Sequence, residues 1–351
     1  MAVFVYSMPI MKIAYHFTIP RPPQPELDAA IQDALKLLPH FPGELNYLYP
    51  AATATRLVPR FLCGLHQLGY LAKLDQEVKL HQIYSNEFYP YPILYRFTKP
   101  IVYTIVTSLK STRRPWFAAM LKPVSQFVVS NVKDQAILQS WGFNKVQVIP
   151  PGIDLTQFTA APASSLLPNI DEKFVLLAGS APWSLGQFES KGIDLLLQST
   201  TTMPNLHLIL LWRGMLFEEI QQRVAQARLA DRVEIINQRI KVNELLPRVH
   251  ACIVLAKTAD LIKAYPHSLL EALAMGKPVL VSDGLALADY VREQACGLVL
   301  SEFSLNHLVR QLTELQQNYA LYRQRAAALD LRPFSQEHLI QAYRQLYKQL
   351  M

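Results

Sequence analysis

Apolar residues recur along this chain at two alternating periods. Short continuous apolar runs read as buried strands, and stretches with apolar residues three and four apart read as helices. Residues 12–17 form the first run. Leu27, Ile31, Ala34, Leu35 and Leu38 share a helical face within 26–38, and Phe61, Leu62, Leu65, Leu68 and Leu71 share another within 60–74. Strands are expected at 82–84 and 101–106, with a Tyr- and Pro-rich connection at 89–97 that ends in a short helix. Pro150-Pro151-Gly152 interrupts the pattern, which resumes with strand 174–178, helix 192–199, strand 206–211 and helix 217–229. Strand 233–236, a short helix at 243–249, strand 251–255, strand 279–281 and a last helix at 335–350 follow. Strands alternating with helices predict an α/β protein built on doubly wound parallel sheets.

A chain of 351 residues suits two domains of about 150 to 170 residues. The Ala-, Ser- and Pro-rich stretch from Thr159 to Pro168, just after the Pro-Pro-Gly break, is the expected hinge. No apolar run approaches the roughly 20 residues of a membrane span. The N-terminus lacks a charged segment followed by a long apolar one, so no export signal is expected, and residues 1–9 read as a short extension. Cys63, Cys252 and Cys296 are widely spaced among apolar neighbours and read as free core thiols in a reducing compartment.

Charge changes the picture. Of the net +7, the whole excess lies in residues 1–150, which hold 15 Lys and Arg against 8 Asp and Glu; residues 151–351 hold 19 of each. A basic half points to an anionic partner. Lys110, Arg113, Arg114 and Lys122 surround Trp116 and Phe117, a combination that suits an anionic membrane surface as well as it suits a solvated loop. A nucleic-acid-binding module is not supported, because no binding motif occurs and the second half is electroneutral.

The densest chemistry lies at Tyr265 to Asp283, Y-P-H-S-L-L-E-A-L-A-M-G-K-P-V-L-V-S-D. Ser268 stands where an N-cap belongs, Gly276 ends the short helix and Pro278 prevents its continuation. Unpartnered amides at a helix start attract phosphate, and Glu271, one turn further in, could hold the two vicinal hydroxyls of a ribose. By itself the segment reads first as an ordinary amphipathic helix with one solvated acid.

This segment resembles the nucleotide-sugar signature of retaining GT-B glycosyltransferases, the large group 1 family that includes bacterial phosphatidylinositol mannosyltransferases and sucrose synthases. Family landmarks follow in order: the first strand at Met11 to His16, then Val128-Val129-Ser130-Asn131, Trp141-Gly142-Phe143 and Val148 to Asp154. Phe174 to Gly179 and Lys191-Gly192-Ile193-Asp194-Leu195-Leu196 come next. The resemblance implies two Rossmann-like domains facing across a cleft. These would be an acceptor-side domain at 1–158 and a nucleotide-sugar domain at 159–333, with a C-terminal helix at 334–351 crossing back to the first. It implies sugar transfer from a nucleoside diphosphate donor with retention, needing no metal or cofactor. The charge distribution and free thiols suit a cytoplasmic protein, either unattached or peripheral on the inner face of a membrane, with a lipid-linked or anionic acceptor. Lys191 would offset charge on the departing phosphate. Glu271 would hold the ribose, and the backbone of His267, Ser268 and Leu269 the phosphates. Gly179 and Ser180 would form the turn under the donor, and Arg239 and Ile240 would frame the base.

The family pattern is incomplete. Its first Glu is replaced by Lys263, which would suit a donor sugar bearing a carboxylate. Its first-domain His falls on Val106. No Arg lies between Ser180 and Ser190, so Arg213 is the candidate replacement cation, and Ile19-Pro20-Arg21-Pro22-Pro23 replaces the Gly-Gly turn after the first strand. His16 could face the cleft or lie in the core. Two functions follow: an active transferase with an altered donor pocket, or a catalytically degenerate nucleotide-sugar binder or scaffold subunit.

Overall fold

Six parallel strands order the first part of the chain: β1 (Ile13–Phe17), β2 (Gly43–Tyr47), β3 (Leu80–Ser85), β4 (Ile101–Ile105), β5 (Gln126–Val129) and β6 (Val146–Val148), in the sequence β2-β1-β3-β4-β5-β6. The computed structural model describes residues 12–22, 28–49, 59–109, 111–158, 167–212 and 216–351. Two compact units result, one of Met1–Ile149 with Glu337–Met351, the other Pro150–Gln336.

In the first unit, helices α1 (Ala29–Leu37), α2 (Leu68–Glu77) and α3 (Val132–Ser140) join the strands. Asp28 caps α1 by accepting from the Ala30 and Ile31 amides, and Asn131 caps α3 by accepting from the Asp134 amide. The continuous helix expected at 60–74 is instead two 3₁₀ turns, Arg60–Leu62 and Leu65–Gln67, followed by α2. Gly64 breaks it: its φ is +82°, and a Cβ there would collide with the Ile93 side chain at 2.6 Å. The periodicity of Phe61, Leu62 and Leu65 does not reveal that bend.

The second unit carries β7 (Phe174–Ala178), β8 (Leu206–Leu211), β9 (Val233–Ile236), β10 (Ala251–Val254), β11 (Val279–Ser282) and β12 (Gly297–Leu300), parallel and ordered β12-β11-β10-β7-β8-β9. Between and after them come α4 (Gly186–Ser190), α5 (Ile193–Thr202), α6 (Phe217–Gln226), α7 (Val242–Leu245), α8 (His267–Ala274), α9 (Leu287–Gln294), α10 (Leu305–Gln317) and α11 (Tyr319–Ala327). Side chains of β7 and β10 point alternately into two cores. Val175, Leu177, Cys252 and Val254 meet α8 and α9, while Phe174, Leu176, Ala251 and Ile253 meet α5, α6 and α10. These are the two doubly wound sheets that the hydrophobic pattern predicts.

The last helix, α12 (Gln336–Leu350), belongs to the first unit from Glu337 onward. Leu339, Tyr343, Leu346 and Tyr347 join the core formed by Ile13, Tyr15 and Phe17 of β1. Tyr347 donates to Gln82 Oε1 at 3.1 Å, and the Tyr343 and Thr104 hydroxyls are 3.1 Å apart. Cys63, Cys252 and Cys296 are free and buried, as their apolar neighbours predict. Among the described residues no helix is long and apolar enough to cross a membrane.

Candidate functional site

In the second sheet the chain enters at β7, winds outward to β9, and returns to the other side of β7 with β10. The connections leaving β7 and β10 therefore diverge, and the carboxyl ends of these two strands open a crevice of the kind that receives ligands in open α/β sheets. The loop after β7 carries Gly179, Ser180 and, beyond α4, Lys191; the loop after β10 carries Lys263 and leads into α8.

These two loops touch. A Cβ built on Gly179 would stand 3.3 Å from Ser268 Oγ and 3.6 Å from Ser268 Cβ, so the backbone at the end of β7 lies directly against the first turn of α8. Ser180 follows with φ +74°, a left-handed conformation that side-chain-bearing residues adopt at a cost. Ser268 is not the N-cap. The helix begins one residue earlier, at His267, with Pro266 as cap and no side-chain cap bond. Pro266 carries its carbonyl into the turn, where the Leu269 and Leu270 amides donate to it at 3.1 and 3.3 Å. The far end follows the expectation: Gly276 has φ +66°, its amide donates to the Leu273 carbonyl and the Lys277 amide donates to Ala272, closing a Schellman turn before Pro278.

Lys191 is held in place by its neighbour. Gly192 has φ +69°, and a Cβ on it would meet the Leu255 side chain at 2.8 Å and the Phe303 ring at 3.1 Å, so only glycine lets this turn press against the end of β10. Lys191 itself is 7% exposed and its Nζ donates to the Ala181 carbonyl at 3.1 Å. No carboxylate pairs with it among the described residues, and burial alone pulls its pKa down to about 8. A buried ammonium with one neutral partner is poised for an anion.

The other expected residues are distributed as follows. Glu271 is half-buried on α8, one turn beyond His267, which is buried; Leu269 is wholly buried and its amide already donates to the Pro266 carbonyl, so it is not free for the phosphate expected there. Lys263 lies between the buried Ile262 and Ala264, and its Nζ is out of reach of solvent. Arg239 is exposed in the loop after β9, and Ile240 packs on the core beneath α8. Arg213 lies outside the described residues. Sequence reasoning missed the Ala181 carbonyl that receives Lys191 and the strained Ser180; a loop backbone conformation leaves no mark in composition.

Two positions of the first unit have no catalytic capacity of their own. Val106, at the family His position, is 7% exposed in the apolar core. His16 does not line an opening: it is fully buried, its Nε2 is 2.8 Å from His81 Nδ1, and its Nδ1 accepts from Asn46 at 3.1 Å. His81 Nε2 reaches Asp75 Oδ1 at 2.9 Å, and Asp75 also accepts from the Thr98 amide and hydroxyl. With both imidazoles neutral and protonated on Nε2, each donor in this chain meets an acceptor, so the row is a satisfied core network. Among the described residues no group of three or more His, Cys, Asp or Glu could hold a metal ion.

Comparison with known proteins bears on the second unit first. The model of the family described as glycosyl transferases group 1 matches residues 183–328. No curated protein sequence matches the chain. Among solved structures, Anabaena HepE in complex with UDP and glucose is similar over 97% of this chain and 100% of that one, at 17% identity and TM-score 0.69. The sucrose-phosphate synthase of Thermosynechococcus elongatus is similar over 97% and 99%, at 17% identity and TM-score 0.68. WaaG, a glycosyltransferase involved in lipopolysaccharide biosynthesis, is similar over 97% and 99%, at 14% identity and TM-score 0.66. At these identities the structures speak for the fold. Residues 183–328 are thus similar to the glycosyl transferases group 1 family, and the two parallel six-stranded sheets have the GT-B fold.

Proposed function

We propose that this protein transfers a sugar from a nucleoside diphosphate donor, with retention at the anomeric carbon, and that the donor binds at the carboxyl ends of β7 and β10. The buried, carboxylate-free Lys191 carries the reading. Its ammonium offsets charge on the leaving diphosphate, and the Ser268 amide at the start of α8 adds a donor. Glu271 accepts from the ribose hydroxyls. The complexes of HepE with UDP and with UDP-glucose support UDP-glucose as the first donor to try. Calorimetric titration with UDP and UDP-glucose tests this. Lys191→Ala and Glu271→Ala should each weaken binding about ten- to hundredfold, the value of a charge-assisted hydrogen bond; unchanged affinity in both variants removes the assignment.

Lys263 gives the donor pocket a cation where the family places a carboxylate. A sugar with its own carboxylate suits that position better than a neutral hexose, and Lys263→Glu should shift preference toward the neutral donor.

The acceptor side of the reading rests on the first unit. Trp116 is 89% exposed, next to the exposed Arg113, Arg114 and Lys122, and Tyr95 and Met120 extend the same exposed surface through a Tyr95 hydroxyl bond to the Met120 carbonyl at 2.8 Å. Basic residues around exposed aromatics suit an anionic membrane carrying a lipid-linked acceptor; Lys110, the fourth cation of that group, lies outside the described residues. A second reading, a nucleotide-sugar binder without transfer activity, is favoured by one observation, the apolar Val106 at the His position. Turnover of UDP-glucose to UDP by a chain that binds both separates the two.

A further inference from the structure

The opposite end of the second sheet carries a second group of cations that the donor reading does not use. Lys277 follows the Schellman turn of α8 and precedes β11; it is 5% exposed and makes no side-chain hydrogen bond or ion pair among the described residues. Helix α11 packs beside it. A Cβ on Gly276 would stand 3.1 Å from Ala327 Cβ, and the Tyr319 ring meets the His250 ring edge-on at 5.5 Å between centroids. Tyr319, Arg323 and Ala327 are spaced four residues apart and so share one face of α11. Since Ala327 touches the end of α8 and Tyr319 touches the residue before β10, Arg323 lies between these contacts, facing the Lys277 region.

Three donors therefore converge, and among the described residues no carboxylate acts on Lys277 or Tyr319. The Tyr319 hydroxyl is buried without a partner. His250 is already saturated: Nδ1 accepts from the Val175 amide at 3.0 Å, and Nε2 donates to the Pro168 carbonyl at 3.1 Å. Burial first, and the charge of Arg323 second, pull the Lys277 pKa down to about 8. The carboxyl end of α8 offsets part of one positive charge. It leaves the half-buried Arg323 and the buried Tyr319 hydroxyl unanswered, and a buried polar group in that state is costly unless a ligand completes it.

We propose that Lys277, Arg323 and Tyr319 form a binding site for a small phosphate-bearing molecule, at the amino ends of β10 and β11 and separate from the donor crevice at their carboxyl ends. Two cations balance a phosphate dianion, whereas a carboxylate would leave one of them uncompensated. The ammonium, the guanidinium fork and the phenol supply donors from several directions, which suits a tetrahedral oxyanion. The site spans the junction of α8 with α11, so its ligand would tie down the far end of the helix that begins at Ser268.

Inorganic phosphate is the probe, with the full chain and thermal unfolding compared in phosphate and in chloride of equal ionic strength. The measurement is made in wild type and in Lys191→Ala, so that phosphate held at the end of β7 does not contribute. Phosphate should raise the midpoint of both. Adding Lys277→Gln or Arg323→Gln should reverse the order: each variant is more stable than its parent in chloride, where two like charges are separated, and less stable in phosphate. Tyr319→Phe, which keeps the ring against His250, should weaken the phosphate response about tenfold in concentration without moving the chloride midpoint. An equal phosphate increment with and without Lys277 and Arg323, or no increment in Lys191→Ala, overturns the site. Should either cation variant fail to fold, the other and Tyr319→Phe decide.

Discussion

The Ser268 hydroxyl lies 3.3 Å from the point where a Cβ on Gly179 would project, so the end of β7 and the first turn of α8 are in contact without a side chain between them. A methyl there forces Ser268 to yield by a few tenths of an ångström. Gly179→Ala should therefore cost little stability, about 1 kcal/mol or less, because the contact is to the end of a short side chain. Nucleotide affinity should fall more, about tenfold, because the displaced turn carries the amides proposed to face the phosphates. Chemical denaturation alongside nucleotide titration separates the two. Equal small losses in both would make Gly179 a packing residue only.

Burial of the Lys191 ammonium carries a cost that binding of the proposed diphosphate would recover. Its pKa falls from 10.5 to about 8 on folding, so at pH 7 the buried charge destabilises the free protein by on the order of 3 kcal/mol. Between pH 8 and 10.5 the unfolded chain holds the proton and the folded one does not, so this destabilisation is relieved as pH rises through that window. Lys191→Met should raise the unfolding midpoint at pH 7 and flatten its rise above pH 8, while abolishing tight nucleotide binding. In wild type, nucleotide affinity should decline above pH 8, with proton uptake on binding visible in buffers of different ionisation enthalpy. A less stable Lys191→Met would show that the ammonium is compensated in the free protein.

How much of this was legible depends on which force fixes each element. Gly276 followed by Pro278 announces the end of α8, because few other residues tolerate that turn and a proline cannot continue a helix. Gly192 is readable for the same reason, but the Leu255 and Phe303 side chains that make it necessary are far away in sequence. Ser268 misleads: as an N-cap it would be ordinary, yet Pro266 sets the start and leaves Ser268 inside the helix. β2 escapes the pattern because Gly43-Glu44-Leu45-Asn46-Tyr47 is an edge strand with only Asn46 buried, and that Asn is drawn inward by His16. The apolar face of α12 is plain in sequence, whereas its bonds to Thr104 and Gln82 join residues more than 200 positions apart.

Acid should unfold this protein through its buried histidines. Burial, reinforced by His81, holds His16 well below 6.5, and burial also lowers His81 against the pull of Asp75. Burial lowers His250 to about 4. In each case the unfolded state takes the proton first, so the histidines add no pH dependence above about pH 6.5, and below it they lower stability by up to about 1.4 kcal/mol per pH unit each. Unfolding midpoints followed from pH 8 to 5 should show this bend. His250→Asn, which keeps a side-chain acceptor for the Val175 amide, should lower stability at pH 8 but reduce the slope below 6.5. An unchanged slope would place the acid sensitivity elsewhere.

The proposed membrane attachment through the first unit is tested by salt and by Trp116. Three described cations, Arg113, Arg114 and Lys122, accompany an indole that is 89% exposed. Near an anionic bilayer each cation contributes about 1 kcal/mol, and the attraction is screened beyond about 8 Å at physiological ionic strength. Co-sedimentation with vesicles containing phosphatidylserine should exceed that with phosphatidylcholine alone, and should weaken when salt is raised. Changing the three cations to Gln should remove the preference for anionic lipid. Trp116→Ala should weaken binding to both lipids and leave the salt dependence intact, because the ring contributes burial at the interface and not charge. Binding that ignores lipid charge, or that survives all four substitutions, would leave this surface to a soluble anionic acceptor.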